Sequence, residues 1–166
     1  MSADMVKDGY KDIVNIDISP IVIEAMQKKY YTMPQLQYLT MDVLDMSFFE
    51  DCSFDAVIDK GTLDSIMCGM VPAERSNPIL VLKPGGVYIL ITYGDPRLRM
   101  PHLNRKVFGW SISLFIIPQP GSRRSLEGCS KAFAEPVLLR IDGSYADRNA
   151  LEDIESHFVY VCTKES

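Results

Sequence analysis

Apolar runs at Ile13 to Ile18, Gln37 to Met41, Phe54 to Ile58 and Gly86 to Thr92, separated by helix-like or turn-like segments, set the tightest limit on what this chain can fold into. The first run is apolar on both faces, as in a strand covered on both sides. Before it, Ala3 to Asp8 reads as the tail of a helix stopped at Gly9, where glycine accepts a left-handed cap. After it, Ser19-Pro20 opens a helix: serine can cap, and proline in the first turn loses no needed N–H. Ile21, Ala25 and Lys28 to Tyr30 carry that helix to a stop before Pro34. Lys83-Pro84-Gly85-Gly86 reads as the turn that launches the fourth strand.

The last third changes character. Leu103 to Phe108 reads as a short helix, Ser111 to Ile117 as a strand and His157 to Cys162 as a closing strand. Between them, Pro118 to Glu155 is rich in Ser, Gly, Arg and Pro and reads mainly as a long loop. Strands alternating with helices, then two late strands, predict an α/β fold with a mostly parallel sheet, in one domain over residues 1–166.

Ligands of such sheets bind beyond the carboxyl ends of the strands, where this chain carries acids. Asp17 closes the first strand just before a helix; it can accept both hydroxyls of a ribose, or cap the helix. Asp42 and Val43 follow the second strand. A carboxylate and a backbone N–H there can read an adenine edge, and the alternative is a solvated loop acid. Asp59-Lys60-Gly61-Thr62-Leu63-Asp64 follows the third, with Gly61 allowing close backbone approach. His102 and His157 form no nucleophile–base pairing with an acid.

Composition excludes several classes. A net charge of −5 and a pI near 5.0 leave no basic footprint for nucleic acid. The four cysteines form no CxxC pair, so metal-site spacing is absent and a reduced, cytoplasmic setting is expected. The start carries no apolar signal core, and Ile112 to Ile117 is far shorter than the ~20 residues that span a bilayer.

The runs NIDIS (15–19), MDVLDM (41–46), SFDAVIDKGTLDSI (53–66), LKPGG (82–86), ITYGDPRLRMPHL (91–103) and DIESHFVYVCTK (153–164) resemble an S-adenosylmethionine (SAM)-dependent methyltransferase. They are most similar to plant methyltransferase-like proteins, related to the group that includes the elongation factor 1A lysine methyltransferases. The resemblance implies a Rossmann-like sheet with an antiparallel last strand, SAM as cofactor, and a protein lysine or similar amine as acceptor. It implies that Asp17 and Ile18 contact the ribose, Asp42 and Val43 the adenine, and Lys60 the methionine end. Asp59 and Asp64 would border the acceptor mouth.

Two departures accompany the resemblance. The family opens with a strand and a Gly-rich turn of the form E/D-x-G-x-G, whereas residues 1–60 hold no G-x-G. The chain is therefore expected to be an N-terminally truncated domain whose first helix is the one that follows that turn. The strands ending at Asp17 and Asp59 would then pair directly or accept a strand from another chain, or the chain is a fragment from an alternative transcript or gene model, which is the favoured expectation. The family's crossover helix after Asp64 is broken here by Pro72 and Pro78, leaving room for at most a short helix. A second function fits these lesions: a non-catalytic relic or interaction module. A nicotinamide dehydrogenase shares only Asp17 and lacks the G-x-G-x-x-G turn.

Overall fold

The computed structural model describes residues 1–68, 78–117, 136–139 and 157–165, which fall into two compact units, Met1–Phe48 and Phe49–Ser166. The α/β class stands, with parallel pairs and a late antiparallel strand.

The first unit runs α1 (Ser2–Lys7), β1 (Ile13–Asp17), α2 (Pro20–Lys29) and β2 (Leu36–Thr40). Strands β1 and β2 pair in parallel, from Ile13 opposite Leu36 to Asp17 opposite Thr40. Ser19 caps α2 as expected: its backbone is extended and its Oγ accepts the Val22 N–H at 3.4 Å, with Pro20 at the first helical position. Gly9 takes a φ of +103°, so the chain turns out of α1 where a side chain would be strained. The unit's buried apolar side chains, among the described residues, are Ile23 and Leu36.

Here β1 departs from expectation. Ile13, Val14 and Ile16 are only half-buried and Asp17 is exposed, so the strand is not covered on both faces. Among the described residues it has one hydrogen-bonded neighbour, β2.

The second unit runs β3 (Phe54–Lys60), α3 (Thr62–Cys68), α4 (Pro78–Val81), β4 (Leu82–Thr92), α5 (Pro96–Leu103), β5 (Trp110–Ile117) and β6 (His157–Lys164). Its sheet has the order β3-β4-β6-β5, with β3 parallel to β4 and β6 antiparallel to both of its neighbours. Inserting the closing strand between β4 and β5 makes it the best covered: Phe158, Tyr160 and Cys162 are buried and pack with Leu82, Leu90 and Leu114. Tyr88 stacks on Trp110 with ring centroids 5.6 Å apart. Strand β3 is more exposed, having β4 as its single partner.

Two local readings are corrected. The Lys83–Gly86 turn does not precede the fourth strand but bulges inside it: Phe54 faces Leu82, while Ala56 already faces Val87. Gly85 supplies the positive φ this needs, +74°, and Lys83 pairs with Asp55 at 2.8 Å across the bulge. The expected helix over Leu103 to Phe108 is instead α5, which ends at Leu103, followed by a 3₁₀ turn over Lys106–Phe108. Pro96 sits at the first turn of α5, a helix capped by Asp95. The crossover after Asp64 keeps a helix of seven residues, α3, as its broken sequence allows.

Most of the expected loop at 118–155, including Arg123 and Arg124, lies outside the described residues. Within the described part, the Val137 N–H donates to the Leu114 carbonyl at 2.7 Å, bridging to β5.

Candidate functional site

In the first unit the register sets Asp17 and Asp42 close along the chain ends. Asp17 pairs with Thr40 as the last rung, and the Met41 N–H donates to the Asp17 carbonyl at 2.9 Å. Each acid folds one oxygen back on its own turn. Asp17 Oδ1 accepts the Ser19 N–H at 2.8 Å, and Asp42 Oδ1 accepts the Leu44 N–H at 2.9 Å. Both side chains are exposed, and their Oδ2 atoms have no partner among the described residues. The helix-capping alternative for Asp17 is thus partly realised, yet each acid keeps an oxygen for a ligand hydroxyl or amino group. Ile18 is 71% exposed beside Asp17, and Val43 is half-buried beside Asp42.

In the second unit the DKGTLD run is built differently. Asp59 lies inside β3 rather than after it, and both its oxygens serve the fold. Oδ1 accepts the Thr62 and Leu63 N–H groups at 2.9 and 3.3 Å, two donors that the first turn of α3 leaves unpaired. Oδ2 accepts the Tyr88 hydroxyl at 3.1 Å. Burial pushes the Asp59 carboxyl above the usual carboxylate range, and these donors pull only partly against it. Burial also pushes the Tyr88 phenol well above its ordinary value, and the Asp59 charge adds to that. Gly61, at φ +78°, turns the chain from β3 into α3, and Lys60 is exposed with no partner among the described residues.

Asp64, on the first turn of α3, anchors a network that the sequence did not reveal. Its Oδ1 accepts from Arg99 at 2.5 Å and from the Thr92 hydroxyl. Arg99 is 7% exposed; its Nε donates to Thr92 Oγ1 at 3.1 Å and its remaining amino group lies 3.1 Å from the Met67 sulfur. Thr92 Oγ1 also accepts the Gly94 N–H at 2.9 Å, and the Tyr160 hydroxyl donates to the Gly94 carbonyl at 3.0 Å. Charge alone could not mark Arg99, one of four basic residues between Arg97 and Lys106. The hint was its place three residues after Pro96, at the start of a capped helix.

Among the described residues, no group of three or more His, Cys, Asp or Glu side chains could hold a metal ion, and no helix is long and apolar enough to cross a membrane.

Known proteins agree with this architecture. A family model described as a methyltransferase domain matches residues 1–90, across the boundary between the two units. The chain is 32% identical to mouse EEF1A lysine methyltransferase 4 over 125 residues, which cover 68% of this chain and 49% of that protein. It belongs to the SAM-dependent methyltransferase family. The human eEF1A lysine and N-terminal methyltransferase is 37% identical over 115 residues, covering 63% of this methyltransferase chain and 16% of its relative. The chain thus spans half or less of the length of these two relatives. Its fold is similar to that of the N-methyltransferase NodS from Bradyrhizobium japonicum, crystallised with S-adenosyl-L-homocysteine, at a TM-score of 0.58 and 12% identity. That match covers 94% of this chain and 68% of NodS.

Proposed function

We propose that the chain works as one methyltransferase domain, transferring a methyl group from SAM to a protein lysine or similar amine. The observation that carries this reading is the pair Asp17 and Asp42, at or just past the carboxyl ends of adjacent parallel strands, each with an oxygen left over. Those oxygens suit the donors of a nucleoside: ribose hydroxyls at Asp17, beside Ile18, and the adenine amino group at Asp42, with the Val43 backbone on the ring. These residues of the first unit therefore suit the nucleoside part of SAM. When bound, SAM supplies a methyl group already activated on a sulfonium. The chain's own contribution is to orient the acceptor, with Asp59 holding the start of α3 and Asp64 presented from its first turn.

A protein acceptor is supported by the names of the mouse and human relatives and by the acidity of this chain, which suits a basic partner. Cytoplasmic placement rests on the sequence reading above. Calorimetry with SAM, and transfer of labelled methyl to purified elongation factor 1A, test the proposal. Asp42→Ala is expected to abolish both signals. No heat and no thermal shift at millimolar SAM would overturn it.

A second reading, a non-catalytic interaction module, is favoured by one observation: residues 1–60 hold no G-x-G turn to lie against the methionine part of SAM. Robust methylation by the purified chain, lost in Asp42→Ala, excludes it.

A further inference from the structure

We propose that Arg99 is a positioning residue for the acceptor amine: with Thr92 it clamps one oxygen of Asp64, leaving the other to receive the amine N–H. This inference rests on the methyl-transfer reading above. The geometry is one-sided. Both donors meet Asp64 Oδ1, and Oδ2 has no partner among the described residues, on a side chain 23% exposed. A carboxylate needed only to satisfy a buried arginine would gain more by offering both oxygens to the guanidinium fork. The fork instead divides among three residues on two elements: Asp64 and Met67 on α3, and Thr92 at the end of β4.

The charge of Arg99 matters as much as its shape. An amine must be uncharged to attack a methyl group, since the ammonium has no lone pair. A lone carboxylate beside it would favour the ammonium and hold the nucleophile back. Paired with Arg99, Asp64 can orient the amine through a hydrogen bond while the pair carries no net charge. Among the described residues, other charged or titratable groups around this pair include Asp59 on β3, Tyr88 on β4 and His102 on α5. Each interacts electrostatically with Asp64 or Arg99. Asp59 and Tyr88 share a hydrogen bond of their own. Burial and then the nearby Arg105 and Arg99 lower the His102 pKa, so His102 adds little positive charge near neutral pH.

The test compares Arg99→Gln, Arg99→Lys and Thr92→Val with the wild-type chain. Each is assayed for labelled methyl transfer to elongation factor 1A across pH, at a temperature well below its own melting point. Arg99→Gln is expected to lower kcat about tenfold or more, through a misplaced acceptor. The rise of kcat with pH should also move upward by about one unit, because Asp64 is then uncompensated. Arg99→Lys should return the pH profile towards wild type without restoring the full kcat. Thr92→Val should lower kcat with the profile unmoved. Affinity for SAM should stay within about twofold throughout, since no cofactor contact is assigned to Arg99. Should Arg99→Gln retain the wild-type kcat and pH profile, or lose rate only by unfolding, the positioning role fails while the methyl-transfer reading stands. A wild-type chain with no turnover overturns that reading and this role together.

Discussion

A Cβ placed on Gly94 would lie 2.2 Å from Cζ of Arg99. Glycine here is required by a neighbour rather than by its own backbone. The guanidinium cannot swing away without giving up Asp64 and Thr92, since it is buried between them. Gly94→Ala is therefore expected to cost about 1–3 kcal/mol through overpacking. Thermal or urea unfolding measures this, and a change below a few tenths of a kcal/mol would contradict it.

Removing the arginine should cost more than crowding it. Arg99→Met leaves the Asp64 carboxylate partly buried and unpaired, a change worth about 3–5 kcal/mol in comparable buried pairs. Arg99→Met combined with Asp64→Leu should recover most of that loss, because a well-packed apolar pair replaces two charges. A double mutant no more stable than the single one would contradict this account.

Asp59 should give stability a distinctive pH dependence. Its folded pKa is raised, so between the ordinary carboxylate value and the raised one the native state binds more protons than the unfolded chain. The corresponding contribution is therefore largest at low pH and is lost as pH rises through that window. Asp59→Asn should remove that slope while keeping a capping oxygen for Thr62 and Leu63. Denaturant midpoints across mildly acidic pH, for wild type and variant, compare the two slopes.

Asp95 caps α5 through two bonds, accepting the Arg97 and Leu98 N–H groups at 2.8 and 3.2 Å. Asp95→Ala should cost about 1 kcal/mol, typical of losing an N-cap. Circular dichroism melts suffice to measure it, and Asp95→Ser should restore most of the loss.

The cysteines separate by burial. Cys162 is fully buried in β6 and its thiol is pushed up to about 12 by burial, whereas Cys52 and Cys68 are exposed. Iodoacetamide at mildly alkaline pH should label Cys52 and Cys68 in the folded chain and spare Cys162 until denaturant is added. Peptide mass mapping reads this directly.

Much of this was legible along the chain. Ser19-Pro20 announced α2, the runs from Ile13 and Gln37 announced β1 and β2, and Asp17 and Asp42 fell near the strand ends where expected. These signals act within a few residues, through caps, apolar runs and proline placement. The misses were of two kinds. Most of α5 went unassigned, since Pro96 and Pro101 interrupt the local pattern although proline is tolerated at a first turn. Strand β1 looked covered on both faces because its residues are apolar, but burial depends on which strands lie beside it.

The sequence by itself determined the α/β class, the positions of most strands, the candidate acids and the family. The tertiary structure decided which acids are spent and which keep an oxygen. Asp59 became a cap for α3 and a partner of Tyr88, while Asp64 was tied to Arg99. Only folding could bring Tyr88 and Arg99 to these acids, because they lie far away along the chain. Asp64 and Arg99 are separated by 35 positions, Asp59 and Tyr88 by 29. They meet because β3 and β4 pair in parallel and α5 returns beside α3, and no local propensity encodes that meeting.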